Sequence, residues 1–192
     1  MKAIAVVLAA GAARRMGEQK LLLEIGGEPM LARVFAACAH LPTLVVGAPT
    51  LRPFVEERGV RFIANATPEL GMTHSLALAD AAAEAETPFL VLLGDKPLVT
   101  RALVDRVLTA ATDADICFPQ QNGVGGHPVY LSAKARARIA LLPSGDTLHL
   151  LRDEPTLQRR AIPTDEIGAY ADVDDAATLE QLRRHVESAD EA

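Results

Sequence analysis

"VVLAAGAARRMGEQK", residues 6–20, is an apolar run that ends at a glycine and is followed by the cations Arg14, Arg15 and Lys20. One interpretation is the apolar core and small-residue cleavage site of a secretion signal. The other is a buried strand followed by a loop that binds phosphate, because backbone N–H groups beside a glycine and nearby cations suit a polyphosphate. The β-branched residues of the run favour the strand. The order of elements along the rest of the chain distinguishes the two.

Short apolar runs alternate with helical patterns along the chain. The first half predicts strands over 3–9, 43–47, 60–64, 89–93 and 115–118, and helices over 29–39, 51–58, 73–86 and 101–111. The second half predicts a Gly-rich turn that enters a strand over 123–131, a strand over 158–162, and helices over 132–141, 145–152 and 175–187. Apolar strands separated by helices are typical of an α/β fold whose mostly parallel sheet is flanked by helices on both faces. The chain therefore favours the buried strand over the signal.

Composition limits the class of protein. The length of 192 residues suits one domain, predicted over 1–187, with residues 188–192 as a disordered tail. The net charge of −6 argues against nucleic acid as a partner. No apolar run approaches the roughly 20 residues of a membrane span, so we expect no membrane partner and a cytoplasmic protein. Cys38 and Cys117 are expected to be buried apolar side chains, because no disulfide or zinc spacing is present.

Ligands of parallel sheets bind outside the carboxyl ends of the strands, so the segments that follow the strands are the candidate site. These segments are 9–20, 65–75 and 94–97. In the last of them, Asp95 is either a Mg²⁺ ligand that bridges to substrate phosphates or a turn residue.

Two later segments add polar candidates. Asp172 and Asp174 lie on the same side of an extended chain, where one is a second metal ligand or a cap of the final helix. His127 follows Gly126, and the polar turn at 144–147 contains Gly145. His127 is either a contact for an anionic substrate or a structural residue.

The motifs together resemble a known family. "LAAGAARRMGEQKLLLEIGG" at 8–27 resembles the LAAGxSxRMGxxKLLxxxxG signature of the MobA-like nucleotidyltransferases. The family's later motifs follow in order as "GMTHSL" at 71–76, "LLGDKP" at 92–97, "GGHPVYL" at 125–131, "SGDT" at 144–147 and "DVDDAATL" at 172–179. The resemblance covers essentially the whole chain and is greatest to the molybdenum cofactor cytidylyltransferases.

The resemblance implies a single-domain, Rossmann-like nucleotidyltransferase. Such an enzyme moves a CMP group from CTP to molybdopterin, a phosphorylated pterin, with Mg²⁺ as cofactor and pyrophosphate as product. The acceptor phosphate would attack the α-phosphorus in line, without a covalent enzyme intermediate. Guanylyltransferases of the family look like LAGG at the first motif, so Ala10 implies CTP rather than GTP.

Site residues follow from the motif positions and from the strand-end segments. The catalytic residues are Arg15, Lys20 and Asp95, and the metal ligands are Asp95, Asp172 and Asp174. The nucleotide-binding set is Leu8, Ala9, Ala10, Gly11, Asn65, Gly71, Met72 and Ser75. The acceptor-binding set is His127, Gly145 and Asp146.

Three departures from the family pattern leave alternatives open. Lys96 stands where relatives usually carry Gln or Met, Leu148 and His149 replace a small pair, and residues 172–179 lack the usual Thr-Pro. One alternative is a nucleotidyltransferase for another phosphorylated acceptor, such as a sugar phosphate or phospholactate. The other is a catalytically weak factor that binds molybdenum cofactor and hands it to a molybdoenzyme client.

Overall fold

The computed structural model describes residues 3–11, 20–145 and 148–190. Its strands are β1 (Ile4–Ala9), β2 (Glu24–Ile25), β3 (Glu28–Pro29), β4 (Thr43–Gly47), β5 (Arg61–Ala64), β6 (Phe89–Leu93), β7 (Ile116–Gln121), β8 (Val124–Gly125), β9 (Val129–Leu131) and β10 (Arg159–Pro163). Its helices are α1 (Met30–Cys38), α2 (Arg52–Glu56), α3 (Gly71–Ala82), α4 (Arg101–Ala110), α5 (Ala133–Arg136), α6 (Leu148–Asp153) and α7 (Ala176–Asp190). None of the helices in these ranges is long and apolar enough to cross a membrane.

Eight of the described strands form one sheet, in the order β10-β7-β9-β6-β1-β4-β5 with β8 beside β7. The neighbours β6, β1, β4 and β5 are all parallel, so their carboxyl ends meet at one edge. This confirms the predicted mostly parallel sheet. Between β6 and β7, however, β9 runs antiparallel to both, and β2 pairs with β3 in a separate hairpin. The sequence pattern predicts neither, because strand direction depends on partners distant in the chain.

Both faces of the sheet are buried, which explains why the strands are apolar throughout. Successive side chains of a strand point to opposite faces. In β1, Val7 belongs to a core cluster shared with α1, α2 and α4, whereas Val6 and Leu8 belong to another shared with α3, α5 and α6. Each such side chain, once buried, contributes about 1.5–3 kcal/mol. The predicted layers of helix, sheet and helix are confirmed.

A third apolar cluster lies outside these two layers. It joins the β2–β3 hairpin, the segment before the last helix, and α7, through Ile25, Met30, Leu98, Val173, Leu179, Leu182 and Val186. The Arg183 guanidinium on α7 also donates to the carbonyl oxygen of Glu24 at 2.9 Å. The last helix is therefore docked on the hairpin, and it runs through Asp190 rather than ending at the predicted residue 187.

Other element boundaries differ from the predicted ones where a turn replaces a helix. The predicted helix over 132–141 is the short α5 followed by a 3₁₀ turn over Ile139–Leu141. α3 begins at Gly71 and ends at Ala82, earlier at both ends than predicted. Cys38 and Cys117 are both buried and unbridged, as expected. Burial raises the pKa of the Cys117 thiol to about 11, so this thiol is protonated near neutral pH.

Candidate active site

Three charged side chains meet at the edge where the central parallel strands end. Lys20 opens a 3₁₀ turn, Asp95 follows β6, and Asp174 precedes α7. The Lys20 ammonium lies 3.3 Å from Asp95 Oδ2 and 3.4 Å from Asp174 Oδ1. Lys20 is only 9% exposed. A buried lysine is rare unless it is paired, so the two carboxylates account for its position.

The end of β6 brings Asp95 to this edge. The N–H of Gly94 donates to the carbonyl oxygen of Leu8 at 2.9 Å, which keeps the chain beside β1 just past the strand end. A Cβ atom at position 94 would lie 3.3 Å from that oxygen and 3.1 Å from Leu21 Cδ1. Glycine is the residue that permits this close approach, and the next residue, Asp95, then lies over the end of the sheet.

The segment 172–174 is held by the residue between its two aspartates. Val173 is fully buried in the cluster beneath α7, and its N–H donates to the carbonyl oxygen of Asp95 at 3.0 Å. With Val173 facing the core, both aspartates are directed away from it. Asp174 meets Lys20, whereas Asp172 meets a different cation.

That second cation is Lys96, which is 6% exposed. Its ammonium donates to the carbonyl oxygen of Tyr170 and lies 3.7 Å from Asp172 Oδ2. Lys96 therefore ties the segment before α7 to the end of β6. Its ammonium is used by these two groups rather than by Asp95.

The donor set at Lys20 suits Mg²⁺. Mg²⁺ prefers oxygen ligands and is usually held by one or two carboxylates, with water and substrate phosphates completing the shell. Asp95 and Asp174 converge on a single cation, the Lys20 ammonium. Over the residues described, no group of three or more acidic, histidine or cysteine side chains could hold a metal ion. Asp95 and Asp174 are therefore the pair of described carboxylates that could hold such a metal.

Residues 5–159 match the model of the MobA-like NTP transferase domain, which covers most of the chain. The chain belongs to this family.

Three solved structures are similar in fold to this MobA-like NTP transferase. The homolog of Mycobacterium tuberculosis Rv0371c from Mycobacterium sp. strain JC1 is similar over 98% of both chains, with 26% identity and a TM-score of 0.81. CMP:2-keto-3-deoxy-manno-octonic acid synthetase, solved with CTP, has 17% identity and a TM-score of 0.80 over 98% of this chain and 100% of its own. Molybdopterin-guanine dinucleotide biosynthesis protein A from Archaeoglobus fulgidus has 15% identity and a TM-score of 0.73 over 96% of this chain and 99% of its own. The last two similarities show the fold alone.

A curated relative matches over a shorter stretch. The bifunctional protein GlmU of Burkholderia mallei is 37% identical over 117 residues, which are 57% of this chain and 26% of the relative. This MobA-like chain thus spans about a quarter of that relative's length.

In this MobA-like NTP transferase, two predicted nucleotide-binding residues contact each other. Asn65 and Ser75 are buried, and the Asn65 amide donates to Ser75 Oγ at 3.0 Å. The side-chain oxygen Oδ1 of Asn65 accepts from the N–H of Thr67 at 2.9 Å. These bonds hold the loop between β5 and α3 at the edge of the sheet, so the two side chains shape the loop.

Two predicted glycines meet where α3 begins. Gly71 has a φ of +81°, and a Cβ there would lie 2.5 Å from the Cα of Gly145. The carbonyl oxygen of Gly145 accepts from the N–H and the hydroxyl of Thr73, at 3.0 and 2.8 Å. The contact brings the predicted acceptor turn against the predicted nucleotide-binding loop, which a transfer between two substrates requires.

The end of β1 carries the remaining predicted nucleotide contacts. Leu8, Ala9 and Ala10 are buried, and Gly11 is exposed. A Cβ on Gly11 would meet no described atom within 4 Å. Among the residues described, none covers this side of the glycine. Arg15 and Asp146 lie outside the described residues, so their predicted roles stay predictions.

His127 lies on the connection between β8 and β9, where its backbone N–H donates to the carbonyl oxygen of Ala169 at 2.9 Å. Its Nε2 atom is buried and has no hydrogen-bond partner among the residues described. Burial, together with the positive charges of Lys96 and Arg152, lowers the pKa of His127 to about 3. The imidazole is therefore neutral at physiological pH. Met72, from the first turn of α3, lines the same cavity as His127.

Sequence reasoning did not identify two arginines near the site. Arg33 on α1 donates to the carbonyl oxygens of Pro97 and Ile25, both at 3.2 Å, and so braces the loop after β6 against the hairpin. Arg152 on α6 lines the cavity beside His127. Neither stands in a motif, and a single arginine on a helix carries no sequence signal of such contacts.

Proposed function

We propose that this MobA-like NTP transferase moves the CMP group of CTP to the terminal phosphate of molybdopterin. The observation that carries the proposal is the Lys20, Asp95 and Asp174 cluster at the carboxyl ends of β1 and β6. A cation and two convergent carboxylates are what binding of a metal-associated triphosphate needs. The CTP bound by a synthetase of the same fold, and the pterin named for another, support the choice of substrates.

The proposed chemistry is a single in-line displacement. An oxygen of the acceptor phosphate attacks the α-phosphorus of CTP, the bond from that phosphorus to the bridging oxygen breaks, and pyrophosphate leaves with the electron pair. Lys20 and Arg15 bind the phosphates and neutralise developing charge, while the loops at the sheet edge orient both substrates. Asp95 and Asp174 would hold Mg²⁺, which supplies further positive charge to the phosphates when bound. Asp172 pairs with Lys96 and would position the segment 172–174 rather than hold the metal.

The choice of CTP over GTP rests on the first loop. Ala10 follows β1 directly and is buried. A methyl group at this position leaves less room for a purine than a glycine would. The proposal therefore includes a preference for the smaller pyrimidine.

The second candidate, a catalytically weak factor that binds finished cofactor for a molybdoenzyme client, arises from Lys96. Its ammonium is bonded to Tyr170 and Asp172, so it does not compete with a cation at Asp95. This contact favours the enzyme. A different phosphorylated acceptor is the remaining alternative and is an outcome of the experiment below.

The test is a transfer assay with purified protein, Mg²⁺, molybdopterin or a sugar 1-phosphate, and each of the four nucleoside triphosphates. We expect pyrophosphate and a CMP adduct from CTP and molybdopterin only. Asp95→Asn should lower the rate by about 10²–10³-fold, because it removes a charge at the reacting phosphates. Asp113→Asn, at an exposed position before β7, is the matched control and should leave the rate unchanged.

Three outcomes would contradict the proposal. Transfer to the sugar phosphate in place of molybdopterin would reassign the acceptor. Tight binding of molybdopterin without turnover under any nucleotide would indicate a binding factor. An Asp95→Asn variant as active as the control would remove Asp95 from the chemistry.

A further inference from the structure

Arg33, in the first turn of α1, bonds to both of the segments that carry Lys20 and Asp95. Its Nη1 atom donates to the carbonyl oxygen of Ile25, and its Nε atom donates to that of Pro97, both at 3.2 Å. Ile25 lies in β2, which follows the 3₁₀ turn that Lys20 opens, and Pro97 lies in the loop just after Asp95. One guanidinium therefore joins the hairpin to the loop after β6.

Two local features place Arg33 there. Long side chains on a helix lean toward its amino-terminal end, and the β2–β3 hairpin is the part of the chain that enters α1 from that end. Gly26, in the turn of the hairpin, leaves room for the guanidinium, since a Cβ there would lie 3.3 Å from Nη1 of Arg33. Ile25 and Pro97 are both buried, and carbonyl oxygens in buried segments are nearly always paired with a donor.

Short hydrogen-bonded steps connect these carbonyls to the charged side chains of the site. The N–H of Leu23 donates to the carbonyl oxygen of Lys20 at 3.1 Å, which closes the turn directly before β2. The carbonyl oxygen of Asp95 accepts from the N–H of Val173 at 3.0 Å, so the segment of Asp174 is attached to the loop after β6. A displacement of the hairpin from this loop would therefore move Lys20 relative to both carboxylates.

The proposed chemistry depends on those separations. The Lys20 ammonium lies 3.3 Å from Asp95 and 3.4 Å from Asp174, and a metal and a triphosphate bind well only where such charges are held in place. Arginine suits the task because its N–H donors lie in one rigid plane, so its two acceptors are fixed relative to each other. A lysine would present a single ammonium at the end of a flexible stem.

We infer that Arg33 is a positioning residue, which sets the separation of Lys20 from Asp95 and Asp174 for binding of the metal and the triphosphate. The inference rests on the proposed function for the identity of these two ligands. Arg33 acts through the backbone of the hairpin and of the loop after β6, and not by contact with a substrate. Its replacement should therefore weaken binding of the metal–nucleotide complex in a protein that stays folded.

The binding test uses the complex of Mn²⁺ with CTP, whose binding to the protein is measured by the relaxation rate of water protons. We expect a dissociation constant about tenfold higher in Arg33→Gln, as is usual when a group that holds metal ligands in place is removed. Arg33→Lys should show a similar loss, because it restores the charge without the planar group. Urea denaturation shows that each variant is folded at the temperature of the titration.

Arg183→Gln is the matched control. Arg183 also donates to a carbonyl oxygen of the hairpin, that of Glu24 at 2.9 Å, but it joins the hairpin to α7 rather than to the loop after β6. We expect this variant to bind the Mn²⁺ complex of CTP as the unmodified protein does. In the transfer assay, Arg33→Gln should lower kcat and leave the KM for molybdopterin unchanged, since the predicted acceptor residues lie in other segments.

Three results would overturn the inference. An unchanged affinity in both Arg33 variants would mean that the hairpin and the loop keep their places without the arginine. Full affinity in Arg33→Lys would leave only an effect of charge. An equal loss in Arg183→Gln would mean that any anchor of the hairpin has the same effect, so that the bond to the loop after β6 has no particular role.

The transfer assay separates this inference from the proposed function. If CMP transfer to molybdopterin occurs and both Arg33 variants bind the Mn²⁺ complex of CTP as the unmodified protein does, the inference fails and the function stands. If the Arg33 variants lose affinity as expected and no CMP is transferred to molybdopterin, the function fails and the role of Arg33 stands.

Discussion

Lys20 and Lys96 are buried cations in an acidic protein. The chain carries a net charge of −6, yet Lys20 and Lys96 are both buried at the site edge. Each is paired with carboxylates from the segment before α7. Burial of such pairs costs solvation free energy that the mutual attraction only partly returns, so their stabilising effect is small. The pairs place alternating positive and negative charges at defined points along the sheet edge.

Ala10 is the residue whose effect on nucleotide choice is most directly testable. CTP with Mg²⁺ should raise the melting temperature more than GTP with Mg²⁺. Ala10→Gly should reduce the difference between these two increases, because it makes room for a purine. Each tenfold difference in affinity corresponds to about 1.4 kcal/mol, or about 3–5 °C for a chain of this size. Thermal unfolding, monitored by the fluorescence of an added dye, measures the melting temperature with each nucleotide.

The control for this prediction is Ala114→Gly, which removes a buried methyl between α4 and β7 at the other end of the sheet. It should lower the melting temperature without changing the difference between the two nucleotides. Equal stabilisation by CTP and GTP in the unmodified protein would contradict the role given to Ala10.

The loop between β5 and α3 depends on two glycines that are far apart in the sequence. Gly71 and Gly145 touch backbone to backbone, and the N–H of Gly145 donates to the carbonyl oxygen of Leu70 at 3.1 Å. This contact joins the start of α3 to the turn before α6. Both the loop after β5 and the turn before α6 therefore depend on the same junction.

Gly71→Ala should destabilise the protein through both its backbone conformation and its contact. A φ of +81° is strained for alanine, and the added Cβ would lie 2.5 Å from a backbone atom that cannot rotate away. We expect a loss of about 2–4 kcal/mol in the free energy of unfolding. Urea denaturation measures it.

Gly59→Ala separates the effect of backbone strain from the effect of the contact with Gly145. Gly59 has a φ of +68°, but a Cβ there would meet no described atom within 4 Å. Its loss should be about 1 kcal/mol, from backbone strain alone. Equal losses in the two variants would mean that the contact with Gly145 does not constrain the loop.

The stability of the whole protein should depend on pH through His127. The ring is held neutral in the folded state, with a pKa of about 3 against 6.5 in the unfolded chain. Between these values the unfolded chain binds the extra proton, so stability falls as the pH falls below 6.5. The slope rises from about 0.7 kcal/mol per pH unit at pH 6.5, where half of the unfolded chains are protonated, to about 1.4 kcal/mol at lower pH, so the loss from pH 6.5 to pH 5 is about 1.6 kcal/mol. Urea denaturation across that range measures it.

His127→Gln should remove this part of the pH dependence, since glutamine does not titrate. His185→Gln, on the exposed side of α7, is the matched control and should leave the dependence as in the unmodified protein. A His127→Gln variant whose stability still falls with the same slope would assign the effect to other groups.

Local pattern was enough to predict the layered α/β architecture. Apolar strands and the helices between them were predicted with small errors at their ends, because burial on both faces leaves a continuous apolar run that can be read within a few residues. The same pattern predicts a candidate site in the segments after β1, β5 and β6, because parallel strands end at one edge. The strand β9 is predicted, but its antiparallel direction and the β2–β3 hairpin are not, because strand direction and pairing join residues distant in the chain.

The side-chain partnerships of the site came from packing. The spacing of Asp172 and Asp174 does not distinguish them. In the structure Val173 packs under α7, and Asp172 then pairs with Lys96 while Asp174 pairs with Lys20. Asn65 and Ser75 proved to bond each other, and Arg152 entered beside His127 although no motif contains it. Spacing along a chain defines which side chains can share a face. Which of them meet depends on long-range contacts, and those form only when the sheet, α6 and α7 have packed together.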